Sequence, residues 1–214
     1  MNDNPPELSL LETRILGTLV EKQRTVPDTY PLSVNALQAG CNQKTSRNPV
    51  METTEAEILV ALDDLKEKGW VREVSGSRVS RFEHQVEKVL GVPTQASALL
   101  TVLMLRGPQT AGELRLNCER LYRFADISSV EAFLEELAAR ADGALVVELP
   151  RLPGARENRW MHLLGGQPQI ESGQASVRPV AANQDMEELR ARVTALEGEM
   201  AELRNLLRQV VDQS

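Results

Sequence analysis

The feature that most constrains this chain is that it repeats itself. The stretch EAEILVALDDLKEKGWVREV from Glu55 lies over SSVEAFLEELAARADGALVVEL from Ser128, placing Ile58, Leu62, Asp63, Asp64 and Leu65 on Val130, Leu134, Glu135, Glu136 and Leu137. Each stretch continues into a β-like segment, a polar turn and a second β-like segment. The last of these is SRFEH (80–84) in one case and NRWMH (158–162) in the other, and both carry Arg, aromatic, any residue, His. Upstream, Leu37 and Cys41 align with Leu114 and Cys118, and ILGTLV at Ile15 aligns with LLTVLM at Leu99. Two copies of one supersecondary unit account for these matches.

Within each copy the pattern reads helix, helix, helix, strand, turn, strand. Ser9 and Glu12 have capping-box spacing, and Leu11, Ile15 and Leu19 form a stripe at i, i+4, i+8, so a first helix is expected to about residue 23. A second helix over 33–39 is expected to end at Gly40, used as a left-handed cap. Thr54 and Glu57 open a third, which buries Ile58, Leu62 and Leu65 and stops at Gly69. Strands over 70–74 and 79–84 then form a hairpin around Ser75-Gly76-Ser77. In the second copy Gly107-Pro108 ends the first helix, and residues 150–157 make a longer turn. Three helices followed by a two-stranded hairpin is a winged-helix order, a variant of the helix-turn-helix. The expected fold is therefore mainly α with small β-hairpins (α+β), with winged-helix domains at 8–92 and 93–165.

Residues 166–184 are rich in Gly, Pro, Gln, Ser and Ala and read as a flexible linker. Beyond it, Met186, Leu189, Val193, Leu196, Met200, Leu203, Leu207 and Val210 recur at spacings of three and four, which predicts a coiled-coil helix over 185–212. In a parallel homodimer the flanking pairs Asp185 with Arg190, Arg192 with Glu197, and Glu199 with Arg204 are all opposite in charge. An antiparallel register also pairs Arg192 with Glu199 and Glu197 with Arg204, and the helix folding back on its own domains is the remaining alternative.

LETRILGTLVEKQRTVPDTYPLSVNALQAGCNQKTSRNPVM, with RGPQTAGELR and RLYRFAD, resembles the YceH-like family of uncharacterised bacterial proteins over about residues 8–165. The resemblance implies tandem winged-helix domains, as the repeat does by itself, and implies no particular activity.

Composition then narrows the function. The 214 residues include only 3% aromatics, few stacking platforms for single-stranded nucleic acid, and the net charge of -7 supplies no global attraction to phosphate. The apolar stretch 98–105 is too short for a membrane span, and the acidic start MNDNPPELS lacks a signal-peptide layout, so a cytoplasmic protein is expected. Cys41 and Cys118 occupy one repeat position and read as small buried thiols. His84 and His162 cannot complete a zinc site by themselves. Without a nucleophile elbow or phosphate loop, the expectation is no enzyme, no cofactor, no metal and no small-molecule substrate. Phe82 and Trp160 are expected to face their cores, with the neighbouring Arg and His on the other strand face.

Any nucleic-acid contact must come from a local patch. The connection after the second helix offers Asn42, Lys44 and Arg47 in the first copy and Arg115, Arg120 and Arg123 around it in the second. The hairpins add Arg72, Arg78 and Arg81, with Arg151, Arg156 and Arg159. Against them, the third helices begin with Glu55 and Glu57 or Asp126 and Glu131 and continue with Asp63, Asp64 and Glu67 or Glu135 and Glu136, which repel phosphate. Two functions follow as expectations. One is a regulator associated with double-stranded DNA, dimerised through its tail. The other is an adaptor whose winged helices dock protein partners.

Overall fold

A computed structural model describes residues 7–74 and 79–166. The hairpin tip 75–78, with Arg78, and the expected linker from 167 and heptad segment lie outside the described residues. The described chain is α+β, with seven α-helices and small antiparallel sheets.

The first copy contains α1 (Leu10–Thr25), a 3-10 turn at Pro27–Thr29, β1 (Leu32–Ser33), α2 (Val34–Cys41), α3 (Glu55–Glu67), β2 (Val71–Val74) and β3 (Arg81–His84). Both capping boxes form. Ser9 Oγ accepts from the Glu12 amide while Glu12 accepts from the Ser9 amide at 2.7 Å, and Thr54 and Glu57 do the same for α3. A short α4 (Val86–Leu90), absent from the sequence expectation, leads to the second copy. There α5 (Thr94–Arg106), α6 (Ala111–Asn117), α7 (Ile127–Ala138), β4 (Val146–Leu149) and β5 (Arg159–His162) repeat the order. Phe82 on β3 pairs with Leu32 of β1, and a lone bridge between Gln109 and Trp160 takes the corresponding place in the second copy.

Two local expectations need correction. Gly40 is inside α2 and not left-handed; a Cβ there would stand 2.5 Å from Thr18 Cγ2, so glycine serves the close approach of α2 to α1. His84 shares the buried face of Phe82, as the two-residue period of a strand requires of alternate positions. Its Nε2 lies 2.8 Å from Gln23 Oε1, and Val86 N–H donates to its Nδ1.

The copies share one core. Helix α5 is buried from Ala96 to Leu105 on all sides, the mark of an interior helix, and α1 lies along it. Gly17 admits the contact, since a Cβ there would come within 2.9 Å of Leu105. The copies are tied again where Arg24 donates to the Thr94 carbonyl and Ser97 Oγ, and where Leu8 N–H donates to the Leu164 carbonyl at 2.8 Å. Among the described residues no helix is long and apolar enough to cross a membrane.

Candidate functional site

The connection 42–53 offered the densest set of polar candidates; Asn42 and Arg47 are engaged within the protein, while Lys44 is exposed. Asn42 Oδ1 accepts from the Thr53 amide and hydroxyl, and its Nδ2 donates to the Thr53 carbonyl, closing the segment end to end. Arg47 has a fully buried side chain. Its Nη1 and Nη2 donate to both oxygens of Glu21, at 2.8 and 3.2 Å, and its Nε donates to the Gly40 carbonyl. That corrects the expectation of a solvent-facing phosphate contact. A bidentate guanidinium–carboxylate pair inside the protein holds the connection to α1.

Arg14, which no local sequence pattern marks, supports the same segment from α1. Wholly buried, it donates to the carbonyls of Cys41 and Pro49, at 3.1 and 2.7 Å. Burial, and then the nearby Arg47, pull its pKa down. Burial opposes ionisation of Glu21, yet the bonds from Arg47 and Lys22 outweigh it and hold the carboxyl below its usual range. Burial pushes the Cys41 thiol up to about 11 and Cys118 up to about 12, so neither is a poised thiolate.

The segment ends against the second copy. Asn48 N–H donates to the Leu105 carbonyl at 2.8 Å, taking one of the carbonyls the end of α5 leaves open, and Arg106 Nη2 donates to Ser46 Oγ at 2.7 Å. Ser46 sits at φ 60°, a left-handed conformation uncommon outside glycine. The connection is a joint between copies.

The other basic candidates are largely engaged. Arg72 pairs with Glu83, Arg123 with Glu119, Arg81 donates to the Thr29 and Pro31 carbonyls, and Arg115 donates to the Ala125 carbonyl. Arg151 donates to Asn158, and Arg156 is exposed. Lys44 and Arg120 are exposed and without a carboxylate partner among the described residues.

Helix α3 presents a different surface. Leu59 and Val60 are 45% and 65% exposed, amid the exposed carboxylates Glu55, Glu57, Asp63, Asp64 and Glu67. Val60 also lines a shallow groove of about 410 Å³ between α3 and the start of α1, with Leu11, Ala56 and Ala61. Both residues fall off the Ile58, Leu62, Leu65 stripe, so their exposure was readable from helical period alone.

Helix-hairpin order in duplicate, around a shared core, defines a two-copy α+β protein. The chain belongs to the family described as "Protein of unknown function, DUF480", whose sequence profile it matches over residues 8–155. It is 81% identical to a UPF0502 protein of Dechloromonas aromatica over 97% of each chain. Similarity extends to UPF0502 proteins of Burkholderia pseudomallei, at 57% identity, and Burkholderia ambifaria, at 58%. Each alignment covers 97% of this chain and 89% of the relative.

Proposed function

We propose that this is a winged-helix interaction protein without enzymatic activity, whose α3 docks a basic, amphipathic segment of a partner protein. The order of three helices and a hairpin in each copy supports the winged-helix reading, and the exposed Leu59 and Val60 within a carboxylate rim carry the functional one. An apolar centre with a charged border is how a docking face excludes water and selects its partner. The same carboxylates oppose a phosphate backbone. The protein's own heptad segment is a poor occupant, because its carboxylates outnumber its arginines.

Selection of displayed peptides on the full-length protein tests this. Enriched sequences are expected to be helical, apolar on one face and rich in Lys and Arg, and to lose roughly tenfold or more in affinity, about 1.4 kcal/mol, against Leu59→Asp/Val60→Asp. Peptides that bind wild type and this variant alike would reject the α3 assignment.

A second reading, a regulator on double-stranded DNA, is favoured by Lys44 and Arg120, free cations on the connections that follow α2 and α6. It requires duplex binding at micromolar protein in low salt, with a salt slope that Lys44→Glu/Arg120→Glu reduces. Dimerisation through Met186 to Val210 belongs to either reading and rests on the heptads. Sedimentation of the full chain as a monomer would remove it.

A further inference from the structure

A groove runs between the copies at the far end of α1 from the docking face. One part, about 310 Å³, is lined by Lys22, Ser46, Arg106, Asn117 and Arg120; the next, about 340 Å³, shares Ser46, Arg106 and Asn117 and adds Arg159. Each is of the size that holds a small molecule. Repeat symmetry explains why cations gather there. In the register that aligns Ile15 with Leu99, Lys22 falls on Arg106, so the last turns of α1 and α5 bring equivalent cations to one groove.

The charge of this lining runs opposite to that of the whole chain. Lys22, Arg47, Arg106, Arg120 and Arg159 face only two carboxylates, and both are occupied. Glu21 is held by Arg47 and Lys22, at 2.8 and 2.9 Å, and Glu113 accepts from the Thr110 amide at 2.8 Å in the α6 capping box. Arg120 and Arg159 have no carboxylate partner among the described residues. Polar donors are also in reserve. Gln109, 6% exposed, lines the second part, and its Oε1 accepts from Asn117 Nδ2 while its Nε2 has no partner among the described residues. A negative chain that collects the unpaired guanidinium groups of Arg120 and Arg159 in a concave site between its two copies has the makings of an anion site.

We propose that this groove binds a small phosphorylated molecule carrying two anionic groups, one beside Arg120 and Lys22 and the other beside Arg159, with Arg106 between them. The bound molecule bridges the copies, since Lys22 and Ser46 belong to one and Arg106, Arg120 and Arg159 to the other. This goes beyond the docking reading and does not rest on it.

Inorganic pyrophosphate is the probe. Calorimetric titration of the full-length protein at fixed ionic strength is expected to saturate below millimolar pyrophosphate. Arg106→Gln and Arg120→Gln should each weaken binding roughly tenfold, and Arg123→Gln, outside the groove, should leave it unchanged. Arg106 also bonds Ser46, so exposed Arg120 is the decisive variant, with an unaltered melting temperature confirming its fold. No saturation by about 10 mM, or equal affinity in wild type and Arg120→Gln, overturns the proposal. So does duplex DNA that displaces pyrophosphate and binds more tightly, because it makes nucleic acid the source of the anion.

Discussion

The two copies pass from second to third helix by different chemistry. In the first, residues 42–53 are held by buried charges, Arg14 and the Arg47–Glu21 pair, and reach across to α5. In the second, the shorter 119–125 is held by aromatic packing. Tyr122 meets Phe124 edge-on at 4.9 Å and Phe124 meets Phe133 at 6.0 Å. Carried along the repeat register, Arg14 and Glu21 fall on Ala98 and Leu105, both buried. One unit thus tolerates a polar or an apolar interior at the same place, and the polar version comes with the extra length that locks the copies together.

The largest expected effect attacks that polar version. Arg47→Met leaves Glu21 partly buried without its guanidinium, at a cost of about 3–5 kcal/mol. Adding Glu21→Leu, the residue the second copy uses, should recover much of the loss in denaturant titration. A double variant no more stable than the single one would show that the connection needs charge.

Acid should act next in size, through the first copy's hairpin. Burial holds His84 neutral down to about 4, whereas an unfolded imidazole takes its proton near 6.5. Between those values the unfolded state binds more protons, so stability falls as pH falls, by up to about 3 kcal/mol. His84→Gln should flatten the stability profile between pH 6.5 and 5, above the range in which the carboxylates titrate. His162, also lowered to about 4 by burial, should leave a residual slope that His162→Gln removes.

Packing comes third. Gly40→Ala forces a methyl onto Thr18 and should cost about 1–3 kcal/mol, read from the urea midpoint. The matching Asn117 carries a side chain that donates to Gln109. Smallest are the helix caps. Thr54→Ala and Asp126→Ala remove equivalent N-caps and should each cost about 1 kcal/mol, alike in both copies by thermal unfolding.

Much of this organisation was legible in the chain. Helical stripes, capping boxes, the stops at Gly69 and Gly107 and both hairpins follow from local rules, and the repeat located equivalent elements. What escaped was whatever depends on distant partners. Nothing near CNQKTSRNPV says that Glu21 will receive Arg47 or that Leu105 will receive Asn48, so a polar segment read as a surface loop. Gly40 looked like a cap because only the crossing with α1 reveals a close approach. The candidate cations suffered most, since an arginine is equally at home on a wing, against a carbonyl or inside an ion pair. Leu59 and Val60, by contrast, could have been read as exposed from the helix period.

The connection 42–53, with the α1–α5 core beneath it, joins the two copies into one cooperative body. Each copy holds one of the chain's two tryptophans, Trp70 and Trp160, so fluorotryptophan labelling places a single 19F reporter in each. In a guanidinium titration of the full-length protein, both native resonances should disappear with one midpoint and one slope. If Trp160 loses its native signal while Trp70 keeps its own, the copies are independent domains and the joint is only a contact.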